Sequence, residues 1–155
     1  ELVMILNNVF SEFDEMLNKY SLEKIKTIGD NYMLAGGIPN PNQDHAASVA
    51  LMALDMVSIM PKISNTVNKE LNIRIGINSG PLSAGVIGTK KFVYDLWGDT
   101  VNVASRMETS GKSNRIHVSE STYGHLKDLF NFTMCDEMDI PGKGMMQTYF
   151  LNGKI

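Results

Sequence analysis

The strictest pattern in the sequence is the stretch LNIRIGINSG, residues 71–80, in which apolar and polar residues alternate. The apolar residues at every second position are Leu71, Ile73, Ile75 and Ile77. Side chains of a β-strand point to opposite faces in turn, so this period of two predicts a strand with one buried face. Such a face must pack against another layer of structure. The fold therefore has to supply helices or a second sheet to cover it.

Helical periodicity appears in two segments on the N-terminal side of this strand. The first is residues 1–20, whose apolar residues at helical spacing are Leu2, Leu6, Val9, Phe13, Met16, Leu17 and Tyr20. The second is residues 42–63, with Asn42 or Asp44 as its N-cap. Its apolar face comprises Val49, Met52, Ala53, Met56 and Met60. Both patterns predict amphipathic helices, because residues three and four apart share one helix face.

The other segments predict strands and helices in alternation. They are a hairpin turning at Gly29-Asp30, a turn and partner strand in residues 79–92, a helix in residues 98–112 closed by Gly111, a strand in residues 115–119, a helix capped by Ser119 and ending near Leu126, and a final hairpin ending in residues 147–151. The order α-β-β-α-β-β-α-β-α-β-β predicts an α+β sandwich with helices on a mixed or mostly antiparallel sheet. Because the order opens on a helix, we expect a preceding strand to be missing from this sequence.

Composition narrows the class of protein. With 155 residues, 43% of them hydrophobic and 20% charged, the chain is typical of one soluble globular domain spanning residues 1–155. A net charge of −3 provides no basic field for nucleic acid, and the uninterrupted apolar runs are shorter than the about 20 residues of a membrane span. The single cysteine, Cys135, cannot form an internal disulfide, which suits a reducing compartment. We expect a cytoplasmic domain, and the absence of an initiator Met indicates an N-terminally truncated piece of a longer protein.

One pair of polar residues has the spacing of a phosphate-binding site. Asn102 and Arg106 lie four positions apart in the predicted helix, which places them on one face about 5–6 Å apart at Cβ. The guanidinium of Arg106 offers a planar fork of donors for phosphate oxygens, and the amide of Asn102 can donate or accept beside it. Taken alone, such a pair more often solvates a helix face. Lys26, Asp30 and Asp95 are equally ordinary by themselves, as strand and turn residues.

Three motifs are specific when taken together and in this order. They are EKIKTIGDNYM (23–33), IRIGINSGPLSAGVIG (73–88) and YDLWGDTVNVASRM (94–107). This set resembles the catalytic domain of the class III nucleotidyl cyclases, the adenylate and guanylate cyclases. The resemblance continues to GKGMMQTYFL (142–151) and so covers nearly the whole chain. It implies a ferredoxin-like α+β fold, here without its first strand, and a dimer with the active site at the interface.

The resemblance also implies a reaction and its cofactors. The ribose 3′-hydroxyl of ATP would attack the α-phosphorus, closing 3′,5′-cyclic AMP and releasing pyrophosphate. Family members hold two Mg²⁺ or Mn²⁺ ions per active site with two aspartates, and Asp30 matches the second of these aspartates. The first would lie on the missing strand. Asn102 and Arg106 match the pair that orients the ribose and stabilises charge on the α-phosphate.

Base selection is the most informative point of the resemblance. The position of Lys26 is a lysine in most adenylate cyclases and a glutamate in guanylate cyclases, and the position of Asp95 is commonly Asp or Thr in the former and Cys or Ser in the latter. A lysine ammonium can donate to adenine N1, and a carboxylate can accept from the N6 amino group, whereas guanine presents the opposite pattern. The chain is therefore predicted to be an adenylate cyclase. By family geometry, Asp30 from one subunit of a homodimer would face the nucleotide-binding residues of the other.

Two departures from the family pattern leave other functions open. The first metal aspartate is missing, and Pro141 stands where family members often have a lysine for the triphosphate, which leaves nearby Lys143 as a candidate substrate-binding residue. The alternatives are a non-catalytic nucleotide-binding or dimerisation partner domain and a guanylate cyclase with unusual base contacts. The expected partners are ATP, a second copy or a related cyclase domain, and a sensor or membrane domain in the parent chain.

Overall fold

The computed structural model describes residues 1–91 and 93–155 of the chain. Its helices are α1 (Leu2–Tyr20), α2 (His45–Val67), α3 (Asp99–Thr109) and α4 (Glu120–Leu126). Its strands are β1 (Glu23–Ile28), β2 (Asn31–Ala35), β3 (Ile75–Ile77), β4 (Ser83–Ile87), β5 (Val93–Trp97), β6 (Ile116–Ser119), β7 (Phe130–Met134), β8 (Met138–Ile140), β9 (Gly144–Met146) and β10 (Thr148–Lys154). These elements confirm the predicted α+β class. They divide into two compact units, Glu1–Ile73 and Arg74–Ile155.

The first unit contains α1, α2 and the hairpin β1–β2. The buried residues of α1 are Val9, Phe13 and Leu17, which form the centre of the predicted apolar stripe. The helix ends at Ser21, whose φ of 56° is left-handed and turns the chain out of the helix. The buried face of α1 packs against α2. The predicted helix and the predicted hairpin are both confirmed.

α2 begins after one of its two predicted caps and ends later than predicted. Asp44 is its N-cap residue, but the Asp44 side chain makes no capping bond, and its N–H donates to Oδ1 of Asn42 at 2.9 Å. Both candidate caps therefore contribute: Asp44 occupies the N-cap position, and the Asn42 side chain accepts the hydrogen bond. The helix continues past Ile63 to Val67. Its buried residues are Ala46, Ala50, Met52, Ala53, Met56, Met60 and Ile63.

The length and composition of α2 bear on the expectation that the apolar runs are too short for a membrane span. Within residues 1–91 and 93–155, α2 is the one helix that is long and apolar enough to cross a membrane by these two criteria, with 23 residues and a mean hydropathy of 1.5. In the structure, 39% of this apolar stretch is buried. A core helix whose apolar face packs against a neighbour meets the same criteria, and α2 packs against α1 in this way.

The second unit is built on a four-stranded sheet in the order β3-β6-β10-β7. β3 runs parallel to β6, and the other neighbouring strands are antiparallel. β6 is buried along its whole length, which fits its place inside the sheet. α3 packs against β3 and β6, while α4 packs against β6 and β10. α4 is capped as predicted, because Ser119 accepts a bond from the Thr122 N–H.

The strand predicted from the alternating stretch is shorter in the structure. Only Ile75–Ile77 pairs with a neighbouring strand. Upstream, the Leu71 N–H donates to Oγ of Ser64 at 3.0 Å, so a side chain of α2 takes a backbone donor that a longer strand would need. The alternation of the sequence therefore describes burial correctly over more residues than it describes strand pairing.

Other strand predictions need correction. β4 forms where a partner for the alternating strand was predicted, but β4 pairs with β5 in a separate hairpin. β5 was missed, because five residues with a central aspartate carry little periodicity. The C-terminal segment, predicted as one hairpin, contains β7 to β10 in the described structure. Phe92, the last residue of the predicted partner-strand segment, lies outside the described residues.

Gly76 in β3 faces α3 at a distance that leaves no room for a side chain. A Cβ added at Gly76 would lie 2.1 Å from the Glu108 backbone nitrogen and 2.7 Å from the Ala104 carbonyl oxygen. Both atoms belong to the helix backbone and can move away only if α3 shifts. We expect Gly76→Ala to lower the free energy of unfolding by about 1–3 kcal/mol or more.

This expectation can be measured by denaturant unfolding against a matched glycine. Gly153 in β10 has nothing within 4 Å of an added Cβ, so Gly153→Ala should leave the unfolding midpoint nearly unchanged. Equal midpoints for the two variants would contradict the close packing of β3 on α3.

Candidate active site

The hairpin β1–β2 presents two of the predicted site residues. Ile28 pairs with Asn31, so Gly29 and Asp30 form a two-residue turn, and Gly29 has the positive φ of 58° that this turn needs. Asp30 is exposed at the tip. Lys26 lies on β1 opposite Met33 and is half-buried. The hairpin therefore holds a carboxylate at its turn and an ammonium on its strand.

Asp95 lies in the middle of the hairpin β4–β5. It pairs with Gly85 and is half-buried, and its Oδ1 accepts a hydrogen bond from the Leu96 N–H at 2.7 Å. Trp97, two residues along the same strand, shares the face of Asp95 and lies against Gly85. Trp97 is 41% exposed. This hairpin face thus combines a carboxylate with exposed apolar surface.

α3 follows β5 directly and presents two opposite faces. Val103 and Met107 are buried and pack with Ile140 of β8. Asn102 and Arg106 lie on the exposed side of the helix, one turn apart as predicted. Neither of these two side chains has a hydrogen-bond or ion-pair partner among the residues that the structure describes. Both remain available to a ligand.

Lys143 lies in the turn between β8 and β9 and forms an ion pair with Asp99. Asp99 is the first residue of α3, where a carboxylate interacts favourably with the helix dipole. The structure therefore places Lys143 beside the N-terminal turn of the helix that carries Asn102 and Arg106. The sequence analysis did not select Asp99 as a partner, although an acidic residue after Gly98 at a helix start is a recognisable signal.

A buried histidine holds the other end of α3. His117 of β6 is 3% exposed, and its Nδ1–H donates to the Met107 carbonyl at 2.9 Å while its Nε2 accepts from the Thr148 hydroxyl, with Nε2 and Oγ1 2.8 Å apart. Burial lowers the pKa of His117, and the bond to Met107 offsets part of that effect. Burial therefore favours the neutral ring, which can donate from Nδ1 and accept at Nε2. His117 is thus a structural link between α3 and the sheet.

The carboxylate of Asp30 can be compared with the needs of a divalent cation. In the described parts of the chain there is no group of three or more His, Cys, Asp or Glu side chains that could hold a metal ion. Mg²⁺ commonly keeps several waters and takes one or two protein carboxylates together with substrate phosphates. A single exposed carboxylate at a hairpin turn fits this kind of site, and it does not fit a cage built only from protein ligands.

The structure brings the predicted site residues together in two groups. Lys26 and Asp30 share one hairpin of the first unit. The second unit contains the others, which are Asp95, Asn102, Arg106 and Lys143. In that unit β5 leads into α3, and the β8–β9 hairpin packs on the buried face of α3.

Comparison with known proteins identifies the family. The family model described as the adenylate and guanylate cyclase catalytic domain matches residues 1–153, and the chain belongs to this family. An adenylate cyclase of Mycobacterium tuberculosis is 40% identical over 154 residues, which are 99% of this chain and 35% of that protein. The human guanylate cyclase soluble subunit beta-2 is 42% identical over 153 residues, which are 97% of this chain and 25% of that protein.

A solved structure agrees with this assignment. The guanylate cyclase domain of RhGC from Catenaria anguillulae, in complex with GTP, has a TM-score of 0.93 and 40% identity, with 97% of this chain and 82% of that chain covered. The fold is that of the cyclase catalytic domains. Because adenylate and guanylate cyclases match at nearly equal identity, the comparisons define a cyclase catalytic domain without selecting its base.

Proposed function

We propose that the chain is the catalytic domain of an adenylate cyclase, which converts ATP to 3′,5′-cyclic AMP and pyrophosphate. The observation that carries the choice of base is the residue pair Lys26 and Asp95. An ammonium donates to adenine N1, and a carboxylate accepts from the N6 amino group, while guanine would meet the opposite pattern. The family assignment supports the reaction class, and these two residues support ATP over GTP.

The proposed roles follow from the side chains on α3 and at the β1–β2 turn. Arg106 stabilises the charge on the α-phosphate while the bond to the 3′-oxygen forms and the bond to pyrophosphate breaks. Asn102, one turn away on the same exposed face, orients the ribose. Asp30 is the carboxylate that would hold a divalent cation, and Mg²⁺ or Mn²⁺ bound there supplies Lewis-acid stabilisation of the phosphate oxygens. Lys143 would reach the triphosphate only by leaving Asp99.

The proposed active unit is a homodimer in the cytoplasm, with Asp30 of one subunit and the nucleotide-binding residues of the other completing each site. Exposed apolar side chains on the hairpin β4–β5 support an interface there. They are Val86 (61% exposed), Ile87 (49%), Val93 (40%) and Trp97 (41%). Ile87, Val93 and Trp97 share one face of the hairpin with Asp95, and Val86 lies on the opposite face. Exposed apolar residues grouped on one face are typical of an interaction site.

Two other functions keep specific support. A guanylate cyclase is favoured by the 42% identity to the human soluble subunit. A non-catalytic nucleotide-binding or dimerisation domain is favoured by Asp30 being a lone acidic candidate for metal binding in the described residues. The mycobacterial relative, of which this chain spans 35%, supports a longer parent protein with further domains.

The test is product formation from ATP and from GTP with Mn²⁺, for this chain and for a form extended upstream by about 30 residues, enough for one strand and its connections. We expect the extended form to make cyclic AMP with a higher kcat/KM than cyclic GMP. Asp30→Asn keeps the hairpin and weakens the metal ligand, so this variant serves as the blank. A preference for GTP would reject the base assignment. If neither form makes a cyclic nucleotide although the protein is folded and dimeric, the non-catalytic domain would be favoured.

A further inference from the structure

The hairpin that carries Lys26 and Asp30 is a two-stranded sheet of its own. An isolated hairpin is marginally stable in water and needs packing from another element to keep one position. In the first unit, α1 provides that packing through a polar contact and an aromatic contact that both centre on Tyr32 of β2. The predicted functions of the hairpin do not use Tyr32.

The polar contact joins the two strands of the hairpin to one carboxylate of α1. The Tyr32 hydroxyl donates to Asp14 Oδ1 at 2.6 Å. The Lys24 ammonium of β1 lies 3.1 Å from the same oxygen and 5.1 Å from the centre of the Tyr32 ring. Asp14 thus accepts from both strands, and a hydrogen bond to an ionised carboxylate is among the stronger ones.

The aromatic contact fixes the ring of Tyr32 against α1. Its centroid lies 5.2 Å from that of Phe10 and 5.5 Å from that of Phe13, with the Phe13 ring edge-on at 86°. Phe13 is 2% exposed and belongs to the core of the unit. Edge-to-face pairs at this separation stabilise a defined orientation. The ring and the hydroxyl of Tyr32 therefore hold the start of β2 from two directions.

We propose that Tyr32 and Asp14 are positioning residues that hold the Asp30 carboxylate in place for the divalent cation. Tyr32 follows Asp30 by two residues, so the Cα atoms of the anchored residue and of the metal ligand are at most about 7 Å apart. Without the anchor, the turn would sample more positions, and the cation would bind a less ordered carboxylate. This inference rests on the metal-binding role given to Asp30 under the proposed function.

The chain offers a matched control with the same chemistry. The Tyr20 hydroxyl donates to Asp55, and the Lys19 ammonium lies 3.4 Å from the same carboxylate oxygen. This second network joins α1 to α2 and does not touch the hairpin. Tyr20→Phe and Tyr32→Phe each remove one tyrosine–aspartate hydrogen bond from the first unit. They differ in the element that the bond holds.

The experiment compares these two variants with the unmodified chain in solution. Amide hydrogen exchange is measured over residues 27–32, and Mn²⁺ alone is titrated while the line broadening of the Asp30 and Asn31 amide signals is followed by NMR. For Tyr32→Phe we expect about tenfold faster exchange in the hairpin and about tenfold more Mn²⁺ for half-maximal broadening, as for the loss of a bond to a charged acceptor. Asp14→Asn should act in the same direction, and Tyr20→Phe should change neither quantity.

Two outcomes would overturn the inference. One is unchanged hairpin exchange in Tyr32→Phe, and the other is faster exchange with the same Mn²⁺ dependence, which would make the network structural only. Neither readout needs turnover, so a folded but inactive extended form would count against the proposed function and leave this inference to be decided by exchange and broadening. In an active form, Tyr32→Phe should raise the Mn²⁺ concentration for half-maximal rate and leave kcat at saturating Mn²⁺ unchanged.

Discussion

Replacing Arg106 with alanine is expected to lower kcat for cyclic nucleotide formation by about 10²–10³, the usual loss when one preorganised electrostatic donor is removed from a transition state. KM for ATP should change much less, because the guanidinium acts mainly on charge that develops at the α-phosphate during the reaction. The measurement is a steady-state assay of the active form with ATP and Mn²⁺.

The structure offers a second arginine, Arg74, as a control for the Arg106 variant. The Arg106 side chain is exposed, and the Arg106 backbone carbonyl accepts hydrogen bonds from the Ser110 N–H, the Ser110 hydroxyl and the Thr109 hydroxyl. Alanine leaves those bonds in place, so α3 should remain folded. Arg74, by contrast, pairs its Nε with Glu108 of α3 at 2.6 Å. Arg74→Ala removes an arginine that is bonded to the same helix and has no role in the proposed chemistry.

Comparing the two arginine variants distinguishes a direct role of Arg106 in the reaction from a loss of activity caused by displacement of α3. We expect Arg74→Ala to retain kcat within a few-fold and Arg106→Lys to recover part of the rate, since an ammonium keeps the charge without the planar fork of donors. An equal loss in Arg74→Ala and Arg106→Ala would indicate a displaced helix and would contradict a direct role for Arg106.

The sequence predicts those parts of the fold that depend on local periodicity and turn chemistry. The bounds of α1, the turn at Gly29-Asp30 and the Ser119 cap of α4 are all confirmed. Strand pairing is predicted less well, because the partner of a strand depends on distant segments. β4 therefore pairs with β5, and the Leu71 N–H bonds to Ser64 although the alternating pattern continues there.

In the candidate site too, features that depend on local sequence are predicted and contacts between distant segments are not. The shared helix face of Asn102 and Arg106 follows from helical spacing alone, and the motifs identify the family. The ion pair of Lys143 with Asp99 and the bond of Tyr32 to Asp14 join residues far apart in sequence. Such contacts form only when distant elements pack together. Local patterns in one sequence do not show which distant residues meet, so these contacts could not be predicted.

Exchanging the two base-selecting residues is expected to move the substrate preference from ATP toward GTP. Each base-edge contact discriminates by about 1–3 kcal/mol, so Lys26→Glu combined with Asp95→Cys should change the ratio of kcat/KM for ATP to that for GTP by roughly 10²-fold or more. A glutamate can accept from guanine N1–H, and removing the Asp95 carboxylate removes the repulsion of guanine O6. The measurement is the formation of both cyclic nucleotides from equal concentrations of ATP and GTP.

Single variants and a charge control make this exchange decisive. Lys26→Glu alone should lower ATP use more than it raises GTP use, because Asp95 would still oppose guanine, and Asp95→Cys alone should leave an unmatched ammonium. Lys154→Glu, at an exposed position at the end of β10, changes the net charge as much as Lys26→Glu does and should leave the ratio unchanged. If the double exchange weakens ATP and GTP use by the same factor, Lys26 and Asp95 contribute to binding or folding without reading the base, and a guanylate cyclase becomes the better description.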